Sequence, residues 1–284
     1  MSITDAQKEA YDRDGYLVLE NVIEPETLTR LRAVIAEFKE ASRAVAASDS
    51  MFDLGPGHSA DAPKLRRLKD PVLHHPLFDA VMRSDTLVDI VAPLMGGTAR
   101  FDHSKLNFKP AGGRAKIEWH QDWAFYPHTN DDLLAVGVMV EDCTPENGPL
   151  RVIPGSHKSP IYDHHRDDLF TGGIAEADLG EELEKAVSLT APAGSISIHH
   201  VRTLHASSDN RSDKERPLLL YAYSAVDAFP VFERYNIAEY DARILRGAPT
   251  GEIRATGVPM RLHLPAKGGA DSIFDNQAAL TAVA

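Results

Sequence analysis

The sequence predicts a mainly β protein with flanking helices, built around a double-sheet barrel of the jelly-roll kind. Three observations support this. Strand-and-turn patterning replaces helical patterning at about residue 98. The run Leu133 to Val140 is apolar almost without a break, as in a strand covered on both faces. Turn signals then recur between short strand-like segments, at Asn147-Gly148 and at Pro154-Gly155-Ser156.

In the helical first third, Tyr16 to Leu19 reads as a short strand. Pro25 to Lys39 reads as a helix, because Leu28, Leu31, Ile35 and Phe38 recur at helical spacing and Pro25 suits the first turn. Residues 47–63, with Gly55-Pro56-Gly57 and Pro63, read as loop. Two short helices are expected near 75–83 and 85–95, ending at Gly96-Gly97. Beyond residue 98, Leu150 to Ile153, the alternating Ser195 to Ile198, and Pro217 to Ala225 read as further strands. Residues 160–185 read as an irregular insertion over one end of the barrel. No repeat or linker interrupts the chain. We expect a single domain over 1–284, with a helical third to about 97, a barrel core over 98–228 and a C-terminal extension over 229–284.

Composition bounds the function. The 284 residues are 43% hydrophobic and 25% charged, which suffices for a real core. A formal net charge of −12 argues against nucleic acid or an anionic membrane as partner, and leaves a small-molecule substrate. The single cysteine, Cys143, cannot form an internal disulfide and suits a reducing compartment. With no signal-like start and no long apolar run, the expected location is the cytoplasm. The oligomeric state is not legible.

Two segments carry the chemistry. In an extended chain, residues two apart share a face, so His120 and Asp122 of Trp119-His120-Gln121-Asp122 project together and Gln121 points away. A third ligand must come from a distant strand, and His205 is the candidate. Two imidazoles and one carboxylate on one face of a metal are the ligand set of non-haem iron(II) oxygenases, with the opposite face open. The segment 209–213 reads as a turn. If it closes a symmetric hairpin, His205 and Arg216 stand directly opposite one another, about 5 Å apart at Cβ. Arg216 would then grip the far end of a diacid chelating the metal, a task suited to a planar guanidinium. Taken singly, His205 reads as a core imidazole and Arg216 as a surface ion-pair partner; their conjunction with His120 and Asp122 favours the metal site. A metal-binding, cupin-like protein without oxygenase activity is the rival reading, but it gives Arg216 no purpose. An inactive scaffold is a blander rival, opposed by the intact set.

These residues resemble the phytanoyl-CoA dioxygenase family of iron(II)/2-oxoglutarate oxygenases. The likeness rests on Trp119-His120-Gln121-Asp122, Glu146 to Leu150, Ile153 to Lys158, Ala193-Gly194-Ser195, His205-Ala206-Ser207, Arg216 and the opening Tyr11 to Val18. It covers roughly residues 8 to 228. The resemblance implies a double-stranded β-helix, iron(II) held by His120, Asp122 and His205, and 2-oxoglutarate with its far carboxylate on Arg216. Ser207, Lys69 and Lys105 fall where such proteins place further co-substrate contacts. Val138 departs from the pattern, standing where the mammalian enzyme carries a tryptophan.

The implied activity is a dioxygenase that hydroxylates a small-molecule C–H bond. It converts 2-oxoglutarate and O2 to succinate and CO2, with ascorbate as a supporting reductant. Desaturation or ring rearrangement by the same oxidant is the alternative. A carboxylate at 122 occupies the position that a halogenase leaves free for chloride. Trp123, Phe125, Tyr126 and His128 are candidate pocket residues, and the Met51–Gly57 loop and residues 160–180 are candidate lids.

Overall fold

The structure, a computed structural model, describes residues 2–113, 115–166, 168–232, 235–261, 273–274 and 276–277. Helix α1 (Asp5–Asp14) starts at a capping box between Thr4 and Gln7 and stops at Gly15, whose φ of 78° suits a residue without Cβ. Strand β1 (Tyr16–Leu19) follows. Helix α2 (Pro25–Ala41) buries Leu28, Leu31, Val34 and Ile35 along one stripe. Strands β2 (Phe52–Leu54) and β3 (Leu65–Lys69) pair antiparallel. Helices α3 (Pro71–His74), α4 (Pro76–Met82) and α5 (Asp85–Val91) come next, and a single 3-10 turn to Met95 leads into Gly96.

The barrel strands then run β4 (Ala99–Lys109), β5 (Ile117–His120), β6 (Leu133–Met139) and β7 (Leu150–Val152). A small hairpin of β8 (His165–Arg166) and β9 (Leu169–Phe170) and helix α6 (Glu176–Leu179) occupy the insertion. The order closes with β10 (Val187–Leu189), β11 (Ile196–His200), β12 (His205–Ser207), β13 (Arg216–Ser224), α7 (Ile237–Asp241) and β14 (Ile244–Arg246).

Two sheets face each other. The larger has the order β1-β11-β6-β13-β4-β3-β2, with β14 also on β4, and the smaller has the order β10-β7-β12-β5. All seven residues of β6 are buried, because helices cover its outer side and the barrel interior its inner side. Tyr221 and Tyr223 of β13 show how the helices are fixed. Their hydroxyls donate to the carbonyls of Phe78 and Met82 on α4, at 2.9 and 2.8 Å, so buried phenols are satisfied at the sheet–helix seam.

Two expectations need correction. Residues 47–63 are not all loop: Phe52–Leu54 extends the large sheet, and with β1 and β3 it makes the N-terminal third a contributor of barrel strands. Nor is 205–216 a hairpin. β12 has both edges occupied, by β5 and β7, and β13 lies between β6 and β4, so neither has a free edge for the other. The connection crosses from the small sheet to the large one. Asn210 secures the crossing: its amide donates to the carbonyls of Lys109 and Lys214, at 3.0 and 2.7 Å, and its side-chain oxygen accepts from the Ser212 N–H.

The C-terminal extension is docked by a buried cation. Arg100 on β4 is fully buried. It donates to the Ala228 carbonyl at 3.1 Å and to Asp241 at 3.2 Å, and lies 4.0 Å from the ring centroid of Tyr240. Arg100→Leu leaves Asp241 unpaired beside the core and is expected to cost about 3 kcal/mol. Chemical denaturation measures the loss, and limited proteolysis should cut first between residues 229 and 246.

Candidate metal centre

His120 closes β5, and its cross-strand partner on β12 is His205. Their ring centroids are 4.0 Å apart. Each imidazole is fixed by its own backbone: Nδ1 of His120 donates to the Glu118 carbonyl at 2.8 Å, and Nδ1 of His205 to the Thr203 carbonyl at 2.9 Å. A carbonyl only accepts, so both rings carry their proton on Nδ1 and present the Nε2 lone pair. Gln121 is extended and Asp122 opens a 3-10 turn. Asp122 Oδ1 lies 3.9 Å from Nε2 of each histidine. The three ligand atoms all fall within 4.8 Å of one another. Gln121 points away, donating to the carbonyls of Arg202 and Pro160 and accepting the Tyr162 N–H.

The electrostatics suit a metal. Burial pushes His120 down to about 4 and His205 well below its ordinary range, so both are neutral near pH 7. Burial works against the Asp122 carboxylate too, but His205, His199 and Lys105 around it hold its pKa well below the ordinary value. Two neutral nitrogens and one carboxylate oxygen match the two-histidine, one-carboxylate donor set.

The centre opens into a cavity of about 950 Å³. Arg216 lines it and is buried, even though the predicted hairpin is absent. Its Nε donates to the Asn147 carbonyl at 3.0 Å and Nη2 to the Gly148 carbonyl, leaving the rest of the guanidinium for a ligand. Gly148 must be glycine. Its φ is +77°, and a Cβ there would sit 2.6 Å from Lys109 Cδ and 2.7 Å from the Ser208 carbonyl oxygen. Ser207 also lines the cavity.

The sequence missed two groups. Lys109, paired with Arg216 across β4 and β13, puts a second cation at that end, and burial, then Arg216, push it down to about 7. His199 on β11 places Nε2 3.3 Å from Asp122 Oδ2. The signal for His199 was the Ser195, Ser197, His199 alternation carried one step further; for Lys109 it was the alternation of Lys105, Asn107 and Lys109.

Other candidates divide. Lys105, Phe125 and Tyr126 line the cavity, whereas Trp123 packs in the hydrophobic core and Val138 is fully buried in β6. His128 sits 3.4 Å from Asp102 rather than at the cavity wall. Lys69 lies opposite Lys105 across β3 and β4; its ammonium donates to the Asp49 carbonyl at 2.9 Å, and it is not among the residues that line the cavity. The candidate lids at 51–57 and 160–180 do not line it either. Tyr235, Asn236, Glu239 and Tyr240 do, with Ile273 and Phe274.

The sequence model described as phytanoyl-CoA dioxygenase (PhyH) matches residues 11–218. The chain belongs to the phytanoyl-CoA dioxygenase family. Among its relatives is a probable alpha-ketoglutarate-dependent hypophosphite dioxygenase of Stutzerimonas stutzeri, 34% identical over 98% of each chain. Another is the L-proline trans-4-hydroxylase of Streptomyces griseoviridis, 29% identical over 78% of this chain and 87% of that one. Among solved structures, EctD from S. alaskensis with 2-oxoglutarate and 5-hydroxyectoine superimposes with a TM-score of 0.67 at 25% identity, covering 79% of this chain and 77% of that one. The fold is accordingly the double-stranded β-helix of that family, and the chain is an iron- and 2-oxoglutarate-dependent dioxygenase. No helix among the described residues is long and apolar enough to cross a membrane.

The buried histidines set a pH dependence for the metal-free protein. His120 and His164 are both lowered to about 4, below the unfolded value near 6.5. Between those values the unfolded chain binds more protons than the native one. Stability is therefore full above about pH 6.5 and falls as the pH drops toward 4. Urea midpoints of metal-free protein at pH 7 and pH 5 should differ, the lower pH being less stable by several kcal/mol. The His164→Gln variant should show a shallower decline.

Proposed function

We propose that His120, Asp122 and His205 hold iron(II), and that Arg216, helped by Ser207 and Lys109, takes the far carboxylate of 2-oxoglutarate. The reaction is then hydroxylation of a small molecule: substrate C–H, O2 and 2-oxoglutarate become alcohol, succinate and CO2. The observation that carries this assignment is the convergence of two Nε2 lone pairs and one carboxylate oxygen beneath a cavity whose far end holds a guanidinium and an ammonium. When bound, iron supplies the activation of O2 that no side chain can provide.

The chain's own residues do the rest. The carbonyls of Glu118 and Thr203 keep both imidazoles in the ligating tautomer and orientation. Arg216 is pinned by two backbone carbonyls, so it meets an incoming carboxylate without rearranging. Phe125 packs edge-on to His120, ring centroids 5.8 Å apart, and keeps water from that side. Burial and the nearby Asp122 carboxylate keep the Tyr126 phenol protonated, a neutral donor at the cavity wall. Asp122 fills the third ligand position, which favours oxygen over chloride transfer. The relatives' named substrates, hypophosphite, ectoine and L-proline, support a small polar substrate.

The wild-type protein should release succinate from 2-oxoglutarate only with iron(II). His205→Ala should lose bound iron, read by metal analysis of the folded protein, together with succinate release. Arg216→Met should raise the KM for 2-oxoglutarate on the order of 100-fold, as expected for losing a bidentate charged contact of a few kcal/mol. An unchanged KM in that variant would contradict the assignment of Arg216.

A further inference from the structure

We propose that Lys105 anchors a second oxyanion site in the cavity, one that holds the substrate rather than the co-substrate. The inference rests on the oxygenase reading above and adds the substrate's chemical class: a small molecule bearing a carboxylate or a phosphorus oxyanion.

The argument starts from β4. His103, Lys105, Asn107 and Lys109 recur at two-residue spacing and all line the cavity, so one strand presents a polar row along its length. Lys109 stands with Arg216 at one end of that row. Lys105 is four residues away, about 13 Å along an extended strand. A five-carbon diacid is far shorter than that. Its distal carboxylate, held by Arg216 and Lys109, therefore cannot be the anion that Lys105 meets; whether the metal-bound end reaches Lys105 is decided by the Lys105→Met arm of the test below.

Lys105 also makes no direct polar contact of its own. Among the described residues its ammonium has no hydrogen bond and no ion pair; its one close contact is the face of Tyr126, 5.4 Å from the ring centroid. The acids nearby are engaged elsewhere. Asp102 is held by His103 at 2.6 Å and His128 at 3.4 Å. Asp70 accepts the Ser104 N–H at 3.2 Å, and Asp122 belongs to the metal centre. Arg67, on the neighbouring strand, adds a second positive charge to the same wall, with Nε on the Asn107 side-chain oxygen at 2.8 Å. Burial strips the ammonium of hydration, the carboxylates of Asp122, Asp102 and Asp70 act on it without a hydrogen bond, and a ligand oxyanion in direct contact recovers part of that loss. An anion placed there lies beside Asp122, next to where oxidation occurs.

The test uses anaerobic iron(II)-loaded protein with saturating 2-oxoglutarate, so that the Arg216 end is filled and no turnover occurs. Isothermal titration with hypophosphite, methylphosphonate and acetate should show one further anion bound per chain. Lys105→Met should weaken that binding at least 10-fold, and Lys105→Arg should restore part of it. Tighter binding of the phosphorus probes identifies a phosphorus oxyanion as the natural group; tighter binding of acetate identifies a carboxylate. The inference is overturned if none of the probes binds once 2-oxoglutarate is in place, or if Lys105→Met binds them as the wild type does. It is equally overturned if that variant weakens 2-oxoglutarate instead, which would assign Lys105 to the co-substrate. The oxygenase reading stands or falls separately, on iron-dependent succinate release by the wild-type protein.

Discussion

The antiparallel register between β5 and β12 is the constraint on which the centre depends. It sets His120 directly across from His205, so two residues separated by more than eighty positions meet as cross-strand neighbours. A slip of one residue would turn one imidazole to the opposite face and leave a single nitrogen in the pocket. The register is defended on both sides. β12 also pairs with β7, where His205 lies across from the fully buried Val152. Trp119, adjacent to His120, is buried in a separate apolar cluster with Ile153, Leu204 and Ala206. Moving His120 out of register would drag that indole into the polar cavity.

Much of this was legible in the sequence because it rests on local periodicity. The buried run at 133–139, the helix from Pro25 and the paired projection of His120 and Asp122 each follow from spacing alone. The hairpin was misread for an equally physical reason. A polar turn between two strand-like segments looks the same whether the strands pair with each other or belong to facing sheets. In a jelly roll, neighbouring strands in sequence often lie in opposite layers. His120, Asp122, His205 and Arg216 still line one cavity, since Arg216 reaches it from the facing sheet. Lys69 on β3 lies across from Lys105, and its ammonium donates to the Asp49 carbonyl.

His199, Lys109 and the C-terminal lining were not legible, since each depends on long-range packing. His199 acquires meaning only because β11 lies beside β6 and under Asp122. Lys109 gains its character first from burial and then from the neighbouring Arg216, and the missing side chain of Gly148 leaves room for its stem. Residues 235–245 carry weak patterning and are positioned through Arg100, whose burial could not be inferred from one charged residue at the start of a strand.

The placement of that C-terminal segment has an evolutionary consequence. The family match ends at residue 218, yet Tyr235, Asn236, Glu239, Tyr240 and Phe274 contribute to the cavity wall. The metal ligands and Arg216 sit on barrel strands whose pairing tolerates little change. The outer wall sits on a C-terminal segment held to the barrel by one short strand, the buried Arg100 and side-chain contacts such as Arg246 to Asp89 and Arg243 to the Asp102 carbonyl. Mutation can therefore redraw the wall against which a substrate rests while the oxidising centre stays intact. Changes at residues 235–245 would alter the cavity's outer wall while leaving the metal ligands on their barrel strands.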